Sequence, residues 1–348
     1  MCWARTMPGG TAEIAKESQG YVPPPSRTCH SPAVISRGRL GDDRARRHWA
    51  RVIIARMRLP TLLALLLPLM AACGLAPQNE NPPQDEAPDT SRTSYVVERA
   101  GVTTEVIGEG SGPLVILLSS LGRDVLEFDP LAERITAAGF RVVRPQPRGF
   151  GKSVGPMEGL TLHDFAKDVA AVIERDGGGP AIMVGHAYGH FVAKMTAVDF
   201  PHLVRGVALV AASQKAISEE VRRWNAIGSD PTRPIDERRK YIQMVFFAPG
   251  NDPTPYLTGF SPEVRRMQDA ARIGTPQQEY WAAGTAPLLD LQAAHDPYRP
   301  RSTADELVNE FGPERVTVVV IPDSSHAVPI EQPTAVADAI VAWARKLP

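Results

Sequence analysis

The sequence predicts a doubly wound, mostly parallel α/β sheet with an inserted helical cap, and three observations predict it. From about residue 95 onward, short continuous apolar runs alternate with amphipathic stretches of helical period. Runs that are apolar throughout suit strands covered on both faces, as in a parallel sheet flanked by helices. One interval, about residues 214–285, holds helical stretches but no strand pattern, so an insertion interrupts the alternation between two sheet strands.

The elements follow in order. Tyr95 to Glu98 and Val102 to Ile107 alternate polar and apolar and read as an antiparallel edge hairpin. Leu114 to Leu118 is the first buried strand. A helix over 125–138 places Phe128, Leu131, Ala132 and Ile135 on one face, and strand 141–144 follows. Helix 162–175 repeats the pattern with Leu162, Phe165, Ala166, Val169 and Ile173, and Thr161 with Asp164 resembles a capping box. Strand 181–185, helix 187–199 and strand 206–211 come next; past the insertion lie strands 287–292 and 316–321, each followed by a helix. Inside the insertion, Val221 and Trp224, Ile242 and Val245, and Val264, Met267 and Ala271 fall at helical spacing. Its aromatic residues, Trp224, Phe246, Phe247, Tyr256, Phe260, Tyr280 and Trp281, predict a cap that roofs an apolar pocket.

With 43% apolar and 22% charged residues, the 348-residue chain can bury a large core, which excludes wholesale disorder, collagen and coiled coil. A net charge of -1 gives no reason to expect nucleic acid. That balance is uneven: residues 1–72 carry 11 Lys and Arg against 4 Asp and Glu, and residues 73–348 carry 27 against 35. Cys2, Cys29 and Cys73 all lie in the first quarter, so the rest has neither a disulfide framework nor a cysteine nucleophile. The apolar run 59–70 is shorter than the roughly 20 residues a bilayer span needs, and has the length of a signal-peptide core. Arg51, Arg56 and Arg58 precede it, and small Ala71 and Ala72 stand before Cys73. Leu69-Met70-Ala71-Ala72-Cys73-Gly74 resembles the lipobox of bacterial lipoproteins. The resemblance implies that Cys73 is lipidated and that the product is an extracytoplasmic cell-envelope protein held to a membrane through it. The expected organisation is a leader at 1–56, disordered or upstream of a true start at Met57, then a lipoprotein signal peptide at 57–72. The lipidated Cys73 and a Pro- and polar-rich flexible linker fill 73–94, and one domain occupies 95–348 with its cap at about 214–285.

Ile182-Met183-Val184-Gly185-His186-Ala187-Tyr188-Gly189-His190 runs from a buried strand into a helix. Its two glycines permit the sharp strand-to-helix turn and the close packing of a nucleophile elbow, G-x-S-x-G, but the central position is Ala187. Asp296 follows a sheet strand, and His326 lies just past the last one. On the elbow, the Arg148-Gly149-x-Gly151-x-Ser153 loop, the cap position and this order, the domain resembles the α/β-hydrolase superfamily. The resemblance implies Asp296 as the acid, His326 as the base, and an oxyanion hole from main-chain N–H groups near Leu121 and of Tyr188. It also implies a small, mostly apolar ester, lactone or related substrate and no cofactor. An alanine methyl offers neither lone pair nor proton, so acyl-enzyme chemistry through Ala187 is excluded. Three explanations stay open. The Asp296–His326 dyad activates water or a substrate proton directly; or the domain is a catalytically silent ligand-binding pseudohydrolase; or a serine was engineered to alanine.

Other motifs read as structure. Gly149-Phe150-Gly151-Lys152-Ser153 lacks the earlier glycine of a phosphate-binding loop. His186 and His190 have i,i+4 spacing but no third metal ligand is placed by sequence. Ser119 and Ser120 read as turn hydroxyls rather than a displaced nucleophile, and Asp323 is the alternative acid. Arg222-Arg223 and Arg238-Arg239-Lys240 read as solvated helix faces.

Overall fold

The computed structural model describes residues 91–348, so the expectations for the leader, the signal peptide, Cys73 and the linker up to residue 90 lie outside the described residues. Eight strands form one sheet: β1 Arg92–Arg99, β2 Val102–Glu109, β3 Leu114–Leu118, β4 Arg141–Pro145, β5 Ala181–His186, β6 Val204–Val210, β7 Leu288–Ala293 and β8 Val316–Ile321. Their order is β1-β2-β4-β3-β5-β6-β7-β8. The hairpin β1–β2 joins β4 antiparallel, and every other pairing is parallel.

Helices α1 Asp129–Ala137, α2 Leu162–Arg175 and α3 Gly189–Asp199 alternate with the inner strands. Side chains of a strand point alternately to opposite faces, and β3 displays this residue by residue. Val115 and Leu117 pack with Leu131 and Ile135 of α1, whereas Ile116 and Leu118 pack with Leu162 and Phe165 of α2 and Phe191 and Val192 of α3. After β7 comes α8 Glu306–Phe311, and after β8 come α9 Val328–Glu331 and α10 Pro333–Ala344, whose Ile340 and Trp343 join the α1 side.

Local chemistry adjusts the expected boundaries. Helix 125–138 is a 3-10 turn, Val125–Phe128, followed by α1, because Asp124 caps Leu126 N–H and Pro130 restarts the helix. The capping box at Thr161 and Asp164 is formed, with Thr161 N–H donating to the Asp164 carboxylate at 3.0 Å. The helix expected from 187 starts at Gly189, because β5 continues to His186 and the intervening turn takes up Ala187 and Tyr188.

Between β6 and β7 lie α4 Glu219–Ser229, α5 Ile235–Phe246, α6 Pro262–Ile273 and α7 Gln277–Tyr280. Four short helices need an apolar centre, and the insertion's aromatics are spent on supplying it. Phe246, Phe247 and Tyr256 pack with Val221, Ile242 and Val245, while Tyr280 and Trp281 join the core beside α2 and α3. The second basic run is also not simply solvated: Arg238 is buried and donates to Gly228 O at 3.1 Å and Leu257 O at 2.7 Å, tying two cap turns together. No helix among the described residues is long and apolar enough to cross a membrane.

Candidate active site

The elbow is built by the close approach of β5, α3 and β3. A Cβ on Gly185 would lie 2.5 Å from Gly189 O, and one on Gly189 would lie 2.2 Å from Leu118 O, so neither position admits a side chain. Ala187 between them has φ +46°, a left-handed conformation that costs an L-residue roughly 1–2 kcal/mol. Its N–H donates to Val210 O at 3.0 Å, which pins the turn to the end of β6. The strained tip faces a cavity of about 320 Å³ that it shares with Tyr188, Leu121 and His326.

Asp296 and His326 sit in the turns after β7 and β8, and both are buried. His326 Nδ1 donates to Asp296 Oδ2 at 2.9 Å, which leaves Nε2 as the unprotonated ring nitrogen on the cavity side. The other carboxylate oxygen of Asp296 accepts from Tyr298 N–H at 2.8 Å, so the acid cannot swing away from the imidazole. The Tyr298 ring stacks on His326 with centroids 4.0 Å apart at 27°, and its hydroxyl accepts from Asn225 of α4. Among the described residues no hydrogen bond or ion pair joins Asp323 to the dyad; its carbonyl accepts from Asn251 on the exposed surface. His295 is likewise exposed.

Among the described residues, neither Leu121 N–H nor Tyr188 N–H is taken by an internal acceptor, and both residues line the cavity. Ser119 is a turn hydroxyl, donating to Arg123 O at 2.8 Å. Behind this loop a buried ionic assembly ties the three parts of the site together. Glu127 accepts from Ser120 N–H at 3.3 Å, pairs with Arg123 at 2.5 Å, and lies 3.3 Å from His186 Nδ1. His186 Nε2 in turn donates to His326 O at 2.7 Å. One carboxylate thus connects the β3 loop, the elbow and the histidine loop. Arg123 is further held over the Tyr256 ring, 3.9 Å from its centroid.

Burial alone would raise the Glu127 carboxyl, but Arg123 and His186 hold it down at about 2, below its ordinary 4.5. A depressed carboxyl contributes stability that is fully present above the unfolded value and is lost as pH falls toward the folded one. Glu127→Gln is therefore expected to lower stability by about 3 kcal/mol at neutral pH, the cost of leaving the buried Arg123 guanidinium without its carboxylate. The gap to the parent should close as pH falls from 4.5 toward 2. Urea midpoints of both proteins at pH 7 and pH 3 check this, and an equal gap at both values would contradict it.

The cavity lining is mixed: Leu121, Phe191, Ile217 and Ile273 give it apolar surface, as expected, but the cap aromatics do not. None of the seven cap aromatics lines it; besides Ile217 and Ile273, the cap contributes Arg222 and Asn225 from α4, and Arg265, Asp269 and Arg272 from α6. Arg222 is on a solvated face, as expected, and that face forms part of the cavity rim. Tyr298, Asn225, Arg265 and Arg272 are the site residues that sequence reasoning missed. The signal for the α6 residues was Arg265, Asp269 and Arg272 at i, i+4 and i+7, one face of a helix. His186 and His190 do not converge on a common point: His186 bonds Glu127 and His326 O, whereas His190 Nδ1 donates to Ala187 O. Lys152 N–H, in the loop resembling a phosphate cradle, donates to the Glu105 carboxylate at 2.8 Å, a group that would repel phosphate.

These features have counterparts in known proteins. A protein named 2-(acetamidomethylene)succinate hydrolase from Mesorhizobium japonicum is 31% identical over 129 residues, spanning 36% of this chain and 46% of the relative, less than half its length. A protein carrying the name carbamate hydrolase RutD, from Variovorax paradoxus, is 28% identical over 242 residues, 64% of this chain and 88% of the relative. The crystal structure of E-2-(acetamidomethylene)succinate hydrolase superposes with a TM-score of 0.59 at 21% identity, covering 73% of this chain and 100% of that one, a likeness of fold. The profile of the alpha/beta hydrolase family matches residues 115–339, from β3 through the elbow, cap, acid and histidine turns. The chain therefore belongs to the alpha/beta hydrolase family.

Proposed function

We propose that the protein is a hydrolase that adds water to an acyl-type substrate, with His326 as general base and no covalent intermediate at position 187. The observation that carries this reading is the buried dyad, His326 Nδ1 to Asp296 Oδ2 at 2.9 Å, with the opposite ring nitrogen on the cavity side. In the proposed step, Nε2 takes a proton from water as the water oxygen bonds to the substrate carbonyl carbon. The charge that develops on the carbonyl oxygen is stabilised by the N–H groups of Leu121 and Tyr188, which lie beside the positive end of α3. Collapse of the tetrahedral species breaks the bond to the leaving group, which takes the proton back from His326 and returns the imidazole to its neutral form. The names carried by the matched relatives, hydrolases of 2-(acetamidomethylene)succinate and of carbamate, support hydrolytic chemistry.

The Ala187 methyl at the elbow tip favours a second reading, a pseudohydrolase that holds a ligand without turning it over. Incubating the protein with panels of esters, amides, lactones and epoxides separates the two. Turnover that depends on His326 supports the enzyme, and saturable binding without turnover supports the second reading.

We also propose that residues 57–72 are a lipoprotein signal peptide, that Cys73 is acylated, and that the linker from residue 73, expected to run to 94 but ended at 91 by the start of β1 at Arg92, tethers the domain to a cell-envelope membrane. The Leu69-to-Gly74 motif supports this. Two or more acyl chains would give stable attachment, where a single chain binds only marginally. Expressed in bacteria with a radiolabelled fatty acid, the parent is expected to take up label and sediment with membranes. Cys73→Ser should lose both properties, and label retained in that variant would place the acyl group elsewhere.

A further inference from the structure

The three guanidinium groups on the cavity wall are arranged by the fold rather than scattered over its surface. On α6, Arg265, Asp269 and Arg272 form one stripe; on α4, Arg222, Asn225 and Ser229 form the other, at i, i+3 and i+7. Arg265 is fixed: its guanidinium donates to Asn225 Oδ1 at 2.9 Å and to Ser229 Oγ. Asn225 donates onward to the hydroxyl of Tyr298, whose ring stacks on His326. A cation is therefore joined to the dyad through two buried side chains, Asn225 and Tyr298. Arg272 is half buried and Arg222 exposed, and among the described residues neither forms an ion pair.

Asp269 is the one carboxylate on this wall, 3.7 Å from Arg265 Nε. Burial raises its carboxyl above the ordinary value in spite of Arg265, Arg272 and Arg222 around it. Three guanidinium groups thus face a single carboxyl on this wall. Structural arginines usually end on carboxylates or main-chain carbonyls, as Arg238 and Arg299 do in this chain. Arg222 and Arg272 instead stand at a cavity that His326 and the elbow also line, Arg272 lying over the Phe191 ring 5.9 Å from its centroid.

We propose that the cavity takes acyl substrates that carry a free carboxylate, bound by Arg272 and Arg222 with Arg265 behind them, so that the scissile carbonyl is presented to His326 and the elbow. This rests on the hydrolase reading only for the fate of the substrate; recognition of the anion stands apart from turnover. A planar guanidinium matches a carboxylate with two parallel hydrogen bonds, which makes arginine suited to this task. The partly exposed setting makes recognition salt-dependent. The charge also sets an orientation: the leaving or acyl portion with its carboxylate lies toward the cap, and the reacting bond lies toward the sheet.

Binding is the readout that keeps this proposal separate from the hydrolase reading. Calorimetric titrations on the His326→Gln variant of the full domain would compare monoethyl succinate with uncharged diethyl succinate and with inorganic phosphate. The expected result is monoethyl succinate bound at least about 10-fold more tightly than either competitor, weakening as sodium chloride rises. Arg272→Met, which alters a half-exposed side chain outside the cap core, should erase that preference, and Arg222→Met should reduce it. Equal affinity for the mono- and diesters, an unchanged preference in Arg272→Met, or phosphate bound as tightly as the monoester would each overturn the proposal. Preferential binding of the monoester by a protein that never hydrolyses it would leave anion recognition standing and remove the hydrolase reading. Turnover of neutral esters without that preference would do the reverse.

Discussion

Replacing His326 with glutamine is expected to lower kcat by about 10²- to 10⁴-fold with KM changed only a few-fold, because the amide can fill the space but cannot accept the proton of an attacking water. The ring nitrogen that does so has its state set from behind. Asp296 Oδ2 accepts from Nδ1 at 2.9 Å, which commits the neutral ring to the tautomer with a bare Nε2. Asp296→Asn tests that link with the geometry nearly intact. An amide nitrogen facing Nδ1 would force the proton onto Nε2, and the corresponding exchange in serine proteases costs about 10⁴ in turnover through the wrong tautomer. The His326→Gln variant should also lose the acid limb of the pH–rate profile, which reports deprotonation of the base. Each variant should keep binding the anionic half of the substrate, since Arg272 and Arg222 are untouched. A His326→Gln protein with parental kcat and pH profile would eliminate the base mechanism. A proportional loss of binding and turnover in both would assign the dyad a structural role instead.

Much of this molecule is legible in the sequence because its sheet is buried on both faces. A run such as Leu114–Leu118 admits only apolar residues when helices cover both sides, and it falls where the strand forms, whereas the edge strand Val316–Ile321 is only partly covered and carries an exposed Thr317. The elbow is legible for a different reason: a Cβ at Gly185 or Gly189 would lie 2.5 or 2.2 Å from a neighbouring backbone oxygen, which leaves no room for a side chain. The lining of the site was not legible. Aromatic content predicts burial but not direction, and in the cap Phe246, Phe247 and Tyr256 turn toward one another, since a small four-helix layer has no other source of core. The polar faces of α4 and α6 are then left to meet the cavity. Arg222 looks identical in sequence to Arg223 beside it; only the rotation of α4 against the sheet puts one at the rim. The Glu127 assembly was illegible too, because its members come from the β3 loop, the 3-10 turn, the elbow and the cap, and no spacing along the chain relates them.

Ala187→Ser is expected to give the protein what its elbow lacks, and the size of the gain depends on the substrate. Position 187 already holds the left-handed φ of +46° that the turn requires, so serine adds one oxygen without asking the backbone to move. That oxygen would enter a cavity shared with His326 and the N–H groups of Leu121 and Tyr188, at the start of α3, where the helix dipole favours negative charge. With an activated aryl ester the variant should turn over on the order of 10³-fold faster than the parent. A native serine site loses roughly 10⁶ when its nucleophile is removed, and a newly introduced one recovers part of that. A fluorophosphonate should label the variant stoichiometrically, at residue 187 by peptide mass spectrometry, and should leave the parent unlabelled. With the carboxylate-bearing substrate the expectation is opposite in sense. If His326 activates water at the elbow tip, the serine oxygen competes with that water for the same Nε2 and the same approach to the carbonyl carbon. Turnover should then gain little or fall, and a burst of acyl-enzyme should appear where the parent shows none. Equal large gains on both substrates would mean that the parent had no direct water mechanism to displace, which favours the ligand-binding reading. A folded variant that resists the fluorophosphonate would show that Ala187 and His326 are not in reach of each other, and the elbow would then be an inherited turn with no part in chemistry.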